Sequence, residues 1–260
     1  MISIDRALQQ LLSFEQEIPR LYSATTTDYR GRVIDAASIR RYLLAEQRRM
    51  AEAAALLPDP PEAGARLLDV GTAYGFLPVL LKTSGKWQCE GLELAENIPV
   101  YSAFARAHAI PLHAGKLGVT PLPFPDASFQ AIVFSEVLEH LRLSPSLVFK
   151  ELRRLLADNG FLLVTTPNVA RLTNIVKLLF GRNPSEPFPK NVVTDNITEY
   201  LTHIREYTMG ELRELLSCAG FEILNARYSA CMERDRPHFY VTALIPPWRG
   251  NLMILARKRS

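Results

Sequence analysis

Apolar positions recur at helical spacing from the start of the chain. Leu8, Leu11, Leu12 and Ile18 share one face, and Ile39, Leu43, Ala54 and Leu57 repeat the pattern more loosely. Between them, Thr25-Thr26-Thr27-Asp28-Tyr29-Arg30-Gly31 is a polar break. Pro58-Asp59-Pro60-Pro61 then ends the second helix, because proline lacks the donor and fixes φ. Residues 1–62 therefore read as a helical extension or lid ahead of a main domain over 63–260.

From Arg66 the period changes. Arg66–Val70, Trp87–Glu93, Phe129–Phe134 and Phe161–Thr166 read as strands. Phe76–Thr83, Glu96–His108, Pro145–Ala157 and Met209–Ala219 read as helices between and after them. Such alternation predicts an α/β, doubly wound sheet, mostly parallel and covered by helices on both faces. The chain closes differently. Phe221–Arg227 and Leu252–Arg257 are strand-like but have too little helix between them for a crossover, which predicts an antiparallel end.

Composition narrows the class. Of 260 residues, 48% are hydrophobic and 22% charged, which suits a globular chain and excludes a disordered or fibrous one. Net charge is only +3, and Arg40-Arg41, Arg48-Arg49 and Arg257-Lys258-Arg259 are short clusters that read as solvated faces. No nucleic-acid partner is expected. Cys89, Cys218 and Cys231 are too scattered for a disulfide framework, which suits a reducing compartment. No window reaches the ~18 apolar residues of a membrane span. Asp5, Arg6, Glu15 and Glu17 interrupt any signal-peptide core, so a cytoplasmic location is expected.

The strongest local signal is Leu67-Leu68-Asp69-Val70-Gly71-Thr72-Ala73-Tyr74-Gly75-Phe76-Leu77. An apolar strand runs through a loop of small residues into a helix whose first N–H groups are free for a ligand. Glu93 ends the next strand at the spacing where an acid accepts hydrogen bonds from ribose hydroxyls. The pair points to a nucleoside-containing ligand without choosing between a dinucleotide and an adenosyl sulfonium.

Pro121-Leu122-Pro123-Phe124-Pro125-Asp126-Ala127-Ser128-Phe129 and the following Ile132-Val133-Phe134-Ser135-Glu136-Val137-Leu138-Glu139-His140 make that choice. They resemble the fourth-strand region of class I S-adenosylmethionine-dependent methyltransferases, in the type-11, ubiquinone-biosynthesis-like branch. Gly160–Asn168, His203-Ile204-Arg205-Glu206-Tyr207-Thr208 and Ala219-Gly220-Phe221 extend the resemblance. It implies a seven-stranded Rossmann-like sheet with its last strand antiparallel. By the same resemblance Asp69, Gly71, Thr72, Ala73 and Gly75 would hold the methionine end of the cofactor. Glu93 would hold the ribose, and Ser135 and Glu136 would lie beneath the amino group and sulfonium. The loop His113-Ala114-Gly115-Lys116-Leu117 lacks the family's frequent aspartate for adenine, which leaves Leu94, Lys116 and Leu117 as its contacts.

The sulfonium methyl is already activated, so catalysis is largely positioning of the acceptor. For a hydroxyl acceptor a general base helps, and His140 and His203 are the candidates. Asn168, Arg205 and Tyr207 are candidates for acceptor contact. No spacing suggests a metal site, since His108 and His113 flank an apolar stretch far from the glycine loop. Ile175-Val176-Lys177-Leu178-Leu179-Phe180 is expected to pack, within an inserted lid or acceptor loop over 171–205. O-methylation of a sugar, glycan or other small-molecule hydroxyl by a monomer or homodimer is the expected function. The rivals are a non-catalytic S-adenosylmethionine-binding module and an NAD(P)-dependent oxidoreductase. Against the latter, the loop is not GxGxxG and no Tyr-x-x-x-Lys follows.

Overall fold

The computed structural model describes residues 2–28, 32–60, 62–118, 121–185, 203–229 and 239–259. The N-terminal part comprises α1 (Ile4–Phe14), α2 (Ile18–Leu21), a ribbon of β1 (Thr26–Thr27) and β2 (Val33–Ile34), and α3 (Ala36–Leu56). The main domain follows with β3 (Ala65–Val70), α4 (Phe76–Thr83), β4 (Trp87–Glu93), α5 (Ile98–Tyr101), α6 (Ala103–Ala107), β5 (Leu112–Ala114) and β6 (Phe129–Ser135). It continues through α7 (Pro145–Leu155), β7 (Leu156–Pro167), α8 (Leu172–Leu179), α9 (Met209–Cys218), β8 (Phe221–Ser229), α10 (Phe239–Leu244) and β9 (Asn251–Lys258).

Seven strands form one sheet in the order β5-β4-β3-β6-β7-β9-β8. The first five are parallel, and β9 runs antiparallel to both β7 and β8. The connection between β8 and β9, residues 230–250, holds only the six-residue α10 and a 3₁₀ turn among the described residues, too little helix for a parallel crossover. Strand order reverses between β3 and β6, where open α/β sheets leave a crevice at their carboxyl ends.

Strand side chains alternate faces. Leu67, Ala131, Val133, Leu163, Met253 and Leu255 join one core with α1, α3, α4 and α6. Leu68, Val70, Ile132, Phe134, Leu162, Val164 and Ile254 join the other, with α7 and α9. The N-terminal extension belongs to the first of these cores. Phe14 meets Phe104 at 5.0 Å between ring centres, and Ala7 and Leu11 are fully buried. The α3 helix begins on a capping box in which the Asp35 carboxylate accepts the Ser38 N–H, and it lies over the crevice.

Several expectations shift. The helix predicted over Glu96–His108 begins at Ile98, with Pro99 in its first turn, and breaks into α5 and α6 at Ser102, whose hydroxyl donates to the Ile98 carbonyl. The Pro145–Ala157 helix stops at Leu155 because β7 begins at once, five residues before the predicted Phe161. The His113 loop begins as the edge strand β5, too short to show alternation. The Ile175–Phe180 stripe does not pack as expected: Leu178, Leu179 and Phe180 are exposed. Polar contacts at the start of α8 hold it instead, with Asn174 buried and Arg171 paired with Glu206. Cys89 and Cys218 are free thiols, while Cys231, Tyr29 and residues 186–202 of the inserted loop lie outside the described residues. No described helix is long and apolar enough to cross a membrane.

Tyr22 tests how firmly the extension is anchored. Its hydroxyl donates to the Tyr101 carbonyl at 2.7 Å and accepts the Phe104 N–H at 3.2 Å, both in the core. Tyr22→Phe leaves both backbone groups unpaired and should lower unfolding free energy by about 1–3 kcal/mol in urea denaturation. An unchanged midpoint would show that the extension is not anchored there.

Candidate active site

A cavity of about 450 Å³ opens at the carboxyl ends of β3, β4 and β6. Its size lies within the ~300–1,000 Å³ range of small-molecule sites. Gly71, Ala73, Glu93, Leu94, Lys116, Leu117, Ser135, Glu136, His140 and His203 all line it. Asp69, Thr72 and Gly75 line a small hollow beside it that shares Gly71 and Ser135.

Local backbone explains the loop. Gly71 has φ +76°, and a Cβ there would run into the Val137 side chain. Gly75 caps α4 at φ +84°, and a Cβ there would lie 2.6 Å from the Ala105 methyl. Ala73 and Glu136 take the left-handed region without being glycine, at φ 47° and 56°. Such strain gathers at ligand sites.

Glu93 is held from three sides. One carboxylate oxygen accepts the Ala73 N–H at 2.9 Å, and the other accepts the Leu94 N–H and the Asn97 amide, each at 2.8 Å. A carboxylate has about four acceptor positions, so roughly one remains for a ligand hydroxyl. Asn97 Oδ1, beside it in the wall, is buried with no partner among the described residues. Asp69 sits one layer below and accepts the Thr72 hydroxyl at 2.8 Å. Burial pushes its carboxyl up to about 7, with the Glu93 charge adding to that while Thr72 and Arg49 oppose it.

The other end of the cavity is polar. Glu136 accepts the Thr165 hydroxyl at 2.7 Å and the Asn251 amide at 3.2 Å. Glu139 follows in the 3₁₀ turn Leu138–His140, and burial with the Glu136 charge holds its carboxyl well above the usual carboxylate range. His140 and His203 meet edge to face, 5.0 Å between ring centres. His203 Nδ1 lies 2.9 Å from Glu206, which Arg171 grips with both guanidinium nitrogens. Although burial raises the Glu206 carboxyl, those two bonds and charges draw it down to about 2. Sequence spacing had suggested no metal site, yet the fold gathers Glu139, His140 and His203 into one cluster.

Three candidates lie outside the cavity wall. Asn168 is fully buried and its amide donates to the Pro247 and Arg249 carbonyls at 2.8 Å, so it ties β7 to the chain ahead of β9. Tyr207 is core, joined to Asn168 by a β-bridge, and Arg205 is an exposed partner of Glu211. Conversely, Arg32, Tyr42, Glu46 and Arg49 of the extension do reach the cavity. Arg49 corrects its reading as a solvated face: it is 4% exposed, donates to Glu46 at 2.8 Å and also to the Ser135 hydroxyl. The signal was present in the sequence, since Arg49 falls between Leu43 and Ala53 on the buried face of α3. His108 and His113 pair with Glu17 and Glu90, away from this site.

A family model described as a methyltransferase domain matches residues 40–226. The chain belongs to that family, the class I S-adenosylmethionine-dependent methyltransferases. A Mycolicibacterium smegmatis protein described as an S-adenosylmethionine-dependent methyltransferase is 33% identical over 162 residues, or 62% of this chain and 53% of that one. The chain thus spans about half the length of that relative. Among solved structures, a chain of the complex between the Haloferax volcanii Trm112 methyltransferase activator and a methyltransferase superposes with TM-score 0.61 at 18% identity, covering 86% of this chain and 96% of that one. An S-adenosylmethionine-dependent methyltransferase from Mesorhizobium loti gives TM-score 0.56 at 18% identity, covering 82% and 98%. These two likenesses concern the fold. The cofactor of the class, and of this chain, is S-adenosylmethionine. The residues present fit it: Gly71, in the left-handed region, and Glu93, with an acceptor position to spare, line the cavity beside Asn97, whose Oδ1 is buried without a partner among the described residues.

Asp69 sets a pH dependence. A carboxyl raised in the folded state binds its proton more tightly there than when unfolded. Stability should therefore fall as pH rises from about 4 to about 7, by up to about 1.4 kcal/mol per unit, and level off above. Asp69→Asn should lack that component, so urea midpoints of the two proteins should diverge between pH 5 and 7 and run parallel above 8. Parallel behaviour throughout would show that Asp69 is ionised in the fold.

Proposed function

We propose that the protein methylates a hydroxyl group of a sugar, glycan or other small molecule. The observation that carries this reading is one cavity with a nucleoside-type grip at one end and two histidines at the other. When bound, S-adenosylmethionine supplies a methyl group already activated by its sulfonium.

The chain's own residues do the rest. The loop from Gly71 to Gly75 and Ser135 orient the methionine end, and Glu93 takes a ribose hydroxyl. Leu94, Lys116 and Leu117 border the base. The acceptor hydroxyl is held at the polar end, where His140 or His203 is placed to take its proton. Positioning within about 3–3.5 Å of the reacting carbon supplies most of the acceleration. The α3 helix roofs the cavity with Tyr42 and Arg49 and excludes water. The segment over 171–205 serves as the acceptor loop and contributes His203. A cavity of this size, shared with the cofactor, favours a small acceptor or the end of a glycan over a nucleic acid, and the net charge of +3 agrees. We place the protein in the cytoplasm as a monomer or homodimer.

A labelled methyl-transfer screen over hydroxyl-bearing acceptors tests the reaction. If only amines or carbon acids accept label, the hydroxyl reading fails. Glu93→Ala tests the grip independently. Losing a charged hydrogen bond of about 1.5–3 kcal/mol should weaken binding of the demethylated cofactor product about 10- to 150-fold by calorimetry. An unchanged dissociation constant would reduce Glu93 to a loop anchor.

A further inference from the structure

One carboxylate oxygen of Glu139 and one nitrogen each of His140 and His203 lie within 4.8 Å of one another in the cavity wall. We propose that these three side chains bind a single divalent transition-metal cation, with Zn²⁺ the best match. Two neutral imidazoles and one carboxylate are a ligand set that zinc takes in catalytic sites, with a fourth position left open.

The carboxylate asks for such a partner. Glu139 is 1% exposed, and one oxygen accepts the Thr166 hydroxyl at 3.1 Å. The other, Oε1, is buried with no hydrogen-bond partner among the described residues and points toward His140 Nε2, 3.9 Å away. A buried carboxyl keeps its proton, pairs or coordinates a metal, because an uncompensated charge is costly, and a cation here would take the proton's place.

The second histidine is oriented from behind. Glu206, gripped by Arg171 and also accepting the Asn174 amide at 3.2 Å, can only accept from His203 Nδ1. The hydrogen therefore sits on Nδ1, and Nε2 keeps the lone pair a cation needs. A carboxylate behind a histidine is the usual support of a metal ligand. The two ligand-bearing segments are also tied together. The Ile204 and Arg205 N–H groups donate to the Glu139 carbonyl at 2.7 and 3.3 Å. With bonds of about 2.0–2.1 Å, a tetrahedral set has ligand atoms ~3.4 Å apart, so side-chain ends need close by at most about 1.4 Å.

Giving the open position to the acceptor oxygen rests on the hydroxyl reading above; ion binding does not. With the ion present, both histidines are ligands and neither is a base, so the proton-accepting role given to them above belongs to the ion-free protein.

Calorimetric titration of chelator-treated full-length protein with Zn²⁺ tests the site, together with elemental analysis of the protein as purified. One equivalent should bind with micromolar or tighter affinity. His140→Ala and His203→Ala should each weaken it roughly 100-fold, and Glu206→Gln roughly 10- to 100-fold. Melting temperature and affinity for the demethylated cofactor product verify that each variant is folded. If the wild type takes up no Zn²⁺, or both folded histidine variants bind it as the wild type does, the inference is overturned. A hydroxyl methylated by ion-free protein that cannot bind Zn²⁺ defeats this inference alone. Specific ion binding without any methylated hydroxyl upholds it and defeats only the acceptor reading.

Discussion

The alternation of side chains along a strand decides what this protein can do. Leu67, Ala131 and Val133 point toward the core that α3 covers, so the residues two further along, Asp69 and Ser135, must point the same way. Leu163 fixes the same face for Thr165, whose hydroxyl lies 2.7 Å from that of Ser135. The polar groups at the strand ends thus converge beneath one helix without any long-range design. Arg49 is the complement on the helix side, a buried cation set among Ser135, Glu46 and the Glu136 charge. A shift of one residue in strand register would turn that whole set to the opposite face.

The cavity carries more acid than the chain as a whole. Glu46, Glu93, Glu136 and Glu139 line it against Arg32, Arg49 and Lys116. Arg32 is paired with Asp28 and Arg49 with Glu46. Such a lining favours a positively charged ligand, and the sulfonium of the cofactor is one. The same carboxylates divide by what surrounds them. Glu93 and Glu136 are each held by donors on neighbouring segments, whereas one oxygen of Glu139 has no donor among the described residues.

Much of this was legible in the sequence, and the reasons differ by element. Long apolar strands bounded by glycine or proline announce themselves, and Gly71, Gly75 and Glu93 follow because their spacing is set by local geometry. The edge strand Leu112–Ala114 is invisible because three residues carry no period. Arg49 escaped because its neighbour Arg48, itself paired with Glu52, makes the pair look like a surface cluster. Asn168 and Tyr207 carried the opposite error: residues inside a recognisable motif turned out to fasten strand ends to each other. Glu139 and His203 are 64 positions apart, and the tie between the Leu138–His140 turn and the Ile204 backbone helps to bring them together. No reading of spacing contains that.

The roof of the cavity belongs to a segment that adds no strand to the sheet. Tyr42, Glu46 and Arg49 stand on α3, whereas the glycine loop and Glu93 are built into the sheet. The two can vary on separate terms. Substitutions along one face of α3 can reshape the chamber for a different guest while the strands, their register and the cofactor grip stay as they are. A single helix is therefore where new selectivity can arise without rebuilding the scaffold.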